Sequence, residues 1–121
     1  MLARDTVNTK RDTRVWLDVC PADDLIDGEG VCALMAGRQV ALFRLQGTGR
    51  IYAIANHDPF SAANVLSRGV TGDLKGQPVV ASPIYKQHFN LQTGQCLEDP
   101  NVQVQTYPVR IIDGMVQVGS P

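Results

Sequence analysis

Short apolar runs separated by turn residues limit what this chain can fold into. The clearest turn is Asp113-Gly114, which lies between the apolar runs 109–112 and 115–118. Asp-Gly in this position is typical of a tight β-hairpin, and Gly37-Arg38 separates two further runs in the same way. No stretch keeps a helical period long enough to compete. We therefore predict about nine short strands and an all-β fold, either a sandwich or a small barrel.

The remaining strands are predicted from apolar runs and from alternation of apolar and polar residues. They lie at 15–19, 31–36, 40–45, 51–54, 79–81, 88–91, 95–97 and 102–105. We expect at most a turn or two of helix at 61–66 and a glycine-rich connector at 69–76. These elements predict one domain over residues 15–121.

The composition excludes several classes of function. The chain has 121 residues, a suitable length for one domain with one hydrophobic core. It contains 11 Lys and Arg residues against 12 Asp and Glu residues, so it lacks the positive field that attracts nucleic acid or anionic membranes. No apolar run approaches the roughly 18–20 residues of a membrane span. We therefore predict no nucleic-acid partner and no membrane partner.

Residues 1–14 are polar and charged and lack the apolar centre of a secretory signal, so we predict a polar N-terminal arm before the domain. The three cysteines, Cys20, Cys32 and Cys96, are odd in number and far apart. They make a poor disulfide framework, which suits a reducing cytoplasm. We expect a cytoplasmic protein in which each cysteine is a small buried side chain.

Two short loops, at 56–60 and 82–89, carry the polar residues of most interest. Each follows an apolar run, and the glycine-rich connector joins them. Two strand–loop units in this arrangement resemble a Rieske domain, which presents an iron–sulfur cluster between two loop tips. Such a cluster needs two thiolates on one iron and two imidazoles on the other.

The ligand positions of the Rieske pattern carry other residues in this chain. The pattern is Cys-x-His in the first loop and Cys-x-x-His in the second, and the corresponding residues here are Asn56, Asp58, Ser82 and Tyr85. A carboxamide and a hydroxyl are poor replacements for thiolates on ferric iron. We therefore predict a Rieske-like fold with the cluster ligands missing, and no metal site in this chain.

The two loops, taken together with residues 64–69, resemble one family closely, the small subunit of assimilatory NAD(P)H-dependent nitrite reductase. The resemblance covers about residues 15–119. It implies a chain without a cofactor or catalytic residue of its own. It also implies a large catalytic subunit that carries sirohaem, a 4Fe-4S cluster and FAD, uses NAD(P)H, and reduces nitrite to ammonium in nitrate assimilation. The alternative is a free-standing Rieske-like interaction module that docks on another redox enzyme.

Several loop residues have more than one interpretation. His57 followed by Asp58 suggests an acid–base pair, but we favour a loop-capping role because adjacent side chains in a turn seldom face each other. A metal site built from His57, Asp58 and His88 has suitable ligand types, yet we expect His88 to be structural. We expect Tyr85 and Phe60 to fill the space that a cluster would occupy, because a dry void there would lose packing contacts.

The loop tips are also the predicted docking surface. In a cluster-bearing Rieske domain the tips meet redox partners, because electrons leave there. We predict that His57, Asp58, Tyr85 and Lys86 form or border the surface that binds the large subunit. In the other interpretation, the loops only close the end of the barrel.

Overall fold

The computed structural model describes residues 14–121, so the predicted arm at 1–14 lies outside the described residues except for Arg14. The fold is all-β, as predicted, with single 3-10 turns at Ala22–Asp24 and Leu66–Arg68. No helix within the described residues is long and apolar enough to cross a membrane. The described part of the chain has twelve strands, which are β1 Trp16–Pro21, β2 Gly30–Met35, β3 Arg38–Arg44, β4 Ile51–Ala55, β5 His57–Asp58, β6 Ala63–Asn64, β7 Val70–Leu74, β8 Gln77–Ala81, β9 His88–Asn90, β10 Thr106–Tyr107, β11 Val109–Ile112 and β12 Met115–Gly119.

The strands form three larger antiparallel sheets. The first sheet has the order β1-β12-β11, the second β10-β4-β3-β2, and the third β7-β8-β9. β5 and β6 make a separate pair of two residues each. The first loop follows β4 of the second sheet, and the second loop follows β8 of the third.

Three hairpins turn through a residue followed by glycine, and both residues have positive φ. These turns are Ala36-Gly37, Lys75-Gly76 and Asp113-Gly114. Positive φ at both central positions is the mark of the type I′ turn, whose twist matches that of the flanking strands. The turn predicted at Gly37-Arg38 therefore lies one residue earlier. Arg38 is the first residue of β3 and pairs with Met35.

The second sheet is the middle layer and buries side chains on both faces. The core between the second and first sheets includes Val40, Leu42, Val116 and Val118. The core between the second and third sheets includes Ala41, Phe43, Val80 and Phe89. Successive residues of β3 therefore belong to opposite cores, as the two-residue period of a strand requires. Full burial of each large apolar side chain contributes about 1.5–3 kcal/mol, which holds the three layers together.

Residues 95–97 are predicted as a strand, but Gln95 and Cys96 form only isolated bridges, with Gln103 and Phe89. Two further segments also differ from the prediction. The connector contains β7, which pairs with β8 although Gly72 and Asp73 are poor strand formers. Residues 102–105 alternate as a strand would, but Gln103 forms an isolated bridge with Gln95, and the next strand is β10. In both places the availability of a partner strand decided the structure.

The predictions for residues 61–66 and for the three cysteines are confirmed only in part. Residues 61–66, where at most a turn or two of helix was expected, contain β6 and only the first residue of a 3-10 turn. Cys96 is buried and Cys20 partly buried, but Cys32 is exposed. The expectation of burial is therefore wrong for Cys32, which lies on β2 at the edge of the second sheet.

Candidate functional site

The two loops share one backbone design. In each loop a proline follows a polar residue, which is Asp58 in the first loop and Ser82 in the second. The side-chain oxygen of that residue accepts a hydrogen bond from the backbone N–H two positions later. Phe60 donates to Asp58 Oδ1 at 2.9 Å, and Ile84 donates to Ser82 Oγ at 3.3 Å. Both loops therefore begin with a turn that the polar residue caps.

The residue four positions after each polar residue closes the loop. The Ala62 N–H donates to the Asp58 carbonyl at 2.8 Å, and the Lys86 N–H donates to the Ser82 carbonyl at 3.1 Å. Ala62 and Lys86 both adopt left-handed backbone conformations, with φ of 59° and 66°. This conformation costs a residue other than glycine roughly 1–2 kcal/mol, so the surrounding bonds must hold it in place. The shape of each loop comes from local bonds within the protein.

A direct hydrogen bond joins the two loops. Ser82 Oγ donates to Asp58 Oδ2 at 2.5 Å, and both residues are 0% exposed. A distance this short is typical of a hydroxyl that donates to an ionised carboxylate. The bond places the two loops side by side at one end of the domain, as the Rieske-like fold predicts.

Hydrogen bonds keep Asp58 ionised in spite of its burial. Burial raises the pKa of this carboxyl, but the hydrogen bonds from the Ser82 hydroxyl and the Phe60 N–H outweigh it, and the pKa lies below its ordinary value. The loop-capping role favoured for Asp58 is therefore confirmed. Since the carboxylate is buried, it shapes the loop-tip region but cannot itself contact a partner.

Asn56, at the first ligand position, links three parts of the chain. Its Oδ1 accepts from the Ser67 N–H at 2.7 Å, and its Nδ2 donates to Gln39 Oε1 at 2.9 Å and to Cys32 Sγ at 3.5 Å. Both ends of this buried carboxamide are therefore occupied. The residue anchors the first loop to β2, β3 and the second 3-10 turn.

The two aromatic residues expected between the loops behave differently. Tyr85, at the fourth ligand position, is 60% exposed, so the expectation that it fills the space of a cluster is wrong. Phe60 does pack inward, because its ring centroid lies 6.1 Å from that of Phe89 in the core. The Asp58–Ser82 bond, in contrast to Tyr85, joins two of the ligand positions directly.

Both histidines have partners. His57 is exposed, and its Nδ1 lies 3.0 Å from Asn64 Oδ1 across the β5–β6 pair. His88 is tied to Glu98 by its ring Nδ1 and by its backbone N–H, each at 2.7 Å. Burial raises the pKa of Glu98, but the bonds from His88 outweigh it and lower the pKa below its ordinary value. His88 therefore has the structural role expected of it.

A metal site from the two histidines and Asp58 is not formed. Within residues 14–121, no three His, Cys, Asp or Glu side chains come together in a way that could hold a metal ion. The ligand types that favoured such a site in the sequence are therefore not brought to one place.

The comparisons with known proteins agree with this geometry. The family model described as a Rieske-like [2Fe-2S] domain matches residues 15–119. The NADH nitrite reductase small subunit of Salmonella typhimurium (strain LT2) is 47% identical over 103 residues, which are 85% of this chain and 95% of that protein. The chain belongs to the nitrite reductase small-subunit family.

The fold of this small subunit is also similar to that of a solved structure. The crystal structure described as an NADH-dependent nitrite reductase small subunit from Mycobacterium tuberculosis matches with a TM-score of 0.87 at 49% identity. The match covers 91% of this chain and 98% of that chain. The resemblance predicted from the two loops is therefore confirmed over nearly the whole length.

A further relative is a large subunit. The NAD(P)H nitrite reductase large subunit of Klebsiella oxytoca is 40% identical over 108 residues, which are 89% of this chain but 11% of that protein. That large subunit therefore contains, within its own chain, a segment similar to this small subunit.

The ligand positions of this small subunit do not fit a [2Fe-2S] cluster. The Asn56 carboxamide is occupied at both ends, the Ser82 hydroxyl already donates to Asp58, and Tyr85 is exposed. None of the four residues is a thiolate or an imidazole, which are the ligands that a Rieske cluster requires. No step of a reaction can therefore be assigned to a cluster in this chain.

Two contacts of the site were not predicted from the sequence. These are the Asp58–Ser82 bond and the His88–Glu98 pair. A signal for the first was available, because both positions correspond to ligands of a single cluster, and two polar residues at such positions must lie close together. The partner of His88 lies ten residues later and had no comparable signal.

Proposed function

We propose that this chain is the small subunit of an NAD(P)H-dependent nitrite reductase and that it binds a large catalytic subunit, which reduces nitrite to ammonium. The observation that carries the proposal is the large subunit of Klebsiella oxytoca, which includes a segment similar to this chain. A covalent link holds two domains at a high effective concentration and so preserves a contact between them. We infer that this chain and a separate large subunit make the corresponding contact.

The contribution of this chain is a binding surface and not a reaction step. At three of the four ligand positions, Asn56, Asp58 and Ser82, the polar groups are engaged with other side chains or with the backbone. We assign the sirohaem, the 4Fe-4S cluster, the FAD and the NAD(P)H site to the large subunit. A cytoplasmic location accompanies this assignment and is supported by three free cysteines.

The loop-tip surface, defined by His57, Ile84, Tyr85 and Lys86, is the proposed contact with the large subunit. All four residues are exposed, including two large side chains, Ile84 and Tyr85. Tyrosine is enriched among the residues that dominate binding energy at interfaces, because it buries a large rigid area and keeps a polar end. The Lys86 ammonium donates to the Pro83 carbonyl at 3.1 Å, which holds the tip in a defined shape.

The proposal is tested by producing the chain together with the large subunit from the same source. We expect the two chains to co-purify, and we expect nitrite-dependent oxidation of NAD(P)H by the pair to fall when the small subunit is left out. Independent purification of the two chains, with full activity in the large subunit alone, would contradict the proposal and favour a free-standing module.

The position of the contact is tested with two matched variants. Ile84→Ala changes the loop-tip surface, whereas Ile111→Ala changes a similarly exposed isoleucine on β11 of the first sheet, on the other side of the domain. We expect Ile84→Ala to weaken binding of the large subunit by about 1–2 kcal/mol and Ile111→Ala to leave it unchanged. Equal binding by both variants would place the contact elsewhere.

A further inference from the structure

A polar cleft lies beside the first loop. Its volume is about 350 Å³, within the range of small-ligand sites. Eight described residues line it, namely Gly37, Arg38, Gln39, Ala55, His57, Asn64, Gln105 and Tyr107. We call it the Arg38–His57 cleft. Because His57 belongs both to this cleft and to the loop-tip surface, the two are continuous.

The charge of the Arg38–His57 cleft is positive. Arg38 is in its lining, and none of the eight lining residues is Asp or Glu. Among the described residues, none forms a hydrogen bond or an ion pair with the Arg38 side chain. Arg44, by contrast, pairs with Asp27 at 3.6 Å and also donates to the Leu25 carbonyl at 3.0 Å. Arg38 is thus a guanidinium in a cleft, and no described residue occupies any of its five donors.

The other polar groups of the cleft also favour an anion. The Gln39 Oε1 acceptor already takes hydrogen bonds from Asn56 Nδ2 at 2.9 Å and from Cys32 Sγ at 3.6 Å. His57 Nδ1 pairs with Asn64 Oδ1 at 3.0 Å, which leaves the Asn64 amide N–H groups as donors. The cleft therefore presents more free donors than free acceptors around one fixed positive charge.

The cleft is built on elements that fix its shape. Arg38 directly follows the type I′ turn at Ala36-Gly37 and pairs with Met35. His57 and Asn64 face each other across the β5–β6 pair. Side chains held on paired strands keep their geometry better than side chains on open loops, so little ordering is needed when a ligand enters.

We propose that the Arg38–His57 cleft receives an acidic side chain, Asp or Glu, of the large subunit. This inference rests on the function proposed above and adds the chemistry of the contact. A guanidinium binds a carboxylate through two parallel hydrogen bonds, which gives direction as well as attraction. Lys86 supplies a second exposed cation on the other loop, so the large-subunit surface that meets the loop tips is acidic. The formal net charge of the whole chain is −1, so this positive region is local and not a general property of the protein.

The test compares Arg38→Gln with Arg50→Gln. Arg50 is an exposed arginine immediately before β4, at the opposite end of that strand from His57, and it is not part of the cleft. Affinity for the purified large subunit is measured at low and at high salt for the wild-type chain and both variants. We expect Arg38→Gln to weaken binding by roughly 10–100-fold at low salt, with a smaller loss at high salt. Arg50→Gln keeps wild-type affinity, and Arg38→Lys recovers part of the loss because it keeps the charge but not the planar fork.

The outcomes separate the inference from the proposed function. If the wild-type chain binds and Arg38→Gln binds as Arg50→Gln does at both salt concentrations, the acidic contact is refuted and the proposed function stands. If the wild-type chain does not bind the large subunit, the proposed function fails and this inference fails with it. Titration of the isolated chain with sodium nitrite is followed by NMR shifts of His57 and Asn64. Saturation at low millimolar nitrite would overturn the side-chain contact in favour of a free anion.

Discussion

Replacing Ser82 by alanine tests whether the bond between the loops determines their stability. The change removes a hydroxyl that donates to Asp58 at 2.5 Å and accepts a longer hydrogen bond from the Ile84 N–H at 3.3 Å. Alanine is smaller than serine and adds no clash, so the lost hydrogen bonds are the main effect. The Asp58 carboxylate then stays buried with the donors of its own loop.

The burial of the pair sets the size of the effect. A hydrogen bond to a charged group contributes about 1.5–3 kcal/mol. Because Asp58 and Ser82 are 0% exposed, water cannot replace the hydroxyl unless the loops open. We therefore expect Ser82→Ala to lower the free energy of unfolding by about 2–3 kcal/mol. For a domain of this size the melting temperature falls by roughly 10 °C.

The pH dependence of the loss has a defined sign. The pKa of Asp58 is lowered in the folded protein, so its contribution to stability is present above the ordinary pKa of about 3.9 and is lost as the pH falls through the folded pKa. Without the Ser82 hydroxyl, burial is opposed by fewer hydrogen bonds and the pKa of Asp58 rises. The stability difference between wild type and Ser82→Ala is therefore full near neutral pH and narrows below about pH 4.

Urea unfolding at several pH values measures both effects. Ser67→Ala is the matched control, because no described residue forms a hydrogen bond with the Ser67 hydroxyl, although the Ser67 backbone N–H binds Asn56. The free energy of unfolding of Ser67→Ala should stay within about 0.5 kcal/mol of the wild-type value. If Ser82→Ala also stays within that range, or if its loss is the same near pH 3 as near pH 7, the Asp58–Ser82 bond does not hold the loops together.

Three further predictions concern the metal, the loop tips and the contact between β2 and the second 3-10 turn. The purified chain should contain no iron or sulfide and show no Rieske-type absorbance after anaerobic reconstitution, because the ligand positions lack thiolates and imidazoles; stoichiometric iron and sulfide would refute this. His57→Ala and Lys86→Ala should each change the free energy of unfolding by no more than about 0.5 kcal/mol, as measured by thermal unfolding. Each should nevertheless weaken binding of the large subunit by roughly 1–2 kcal/mol, as measured by titration. Gly30→Ala should destabilise the domain by about 2 kcal/mol or more in urea unfolding, because its Cβ would lie 2.1 Å from the Ser67 carbonyl oxygen; wild-type stability would show that the backbone yields freely there.

The parts of the fold that local chemistry decides were predictable from the sequence. The Asp113-Gly114 hairpin is the clearest case, because both residues tolerate the positive φ that a type I′ turn needs. A proline after a polar residue, as at Asp58 and Ser82, is likewise typical of a turn, and in both turns the polar side chain accepts a bond from the backbone. In each case the residues that determine the structure are neighbours in the chain.

The parts that depend on distant partners were not predictable in the same way. β7 forms because β8 is available to pair with it, whereas residues 102–105 have the strand pattern but form an isolated bridge at Gln103. The sequence also did not show which polar side chains face inward. Tyr85 was expected to fill the space of a cluster and is exposed, while Asp58, expected to form or border the docking surface, is buried. Asp58 and Ser82 are 24 residues apart, and their bond depends on the fold as a whole.

The Asp58–Ser82 bond is better explained by geometry than by stability. A buried carboxylate loses its hydration, and well-packed apolar residues of similar volume are often at least as stabilising. A hydrogen bond from a single hydroxyl, however, acts in one direction and at one distance, so it fixes one loop relative to the other. The exposed Ile84 lies two residues after Ser82, and its backbone N–H binds the same hydroxyl. The bond inside the domain therefore sets the position of the backbone that carries Ile84, so hydrogen bonds within the protein can keep the proposed loop-tip surface in a constant shape.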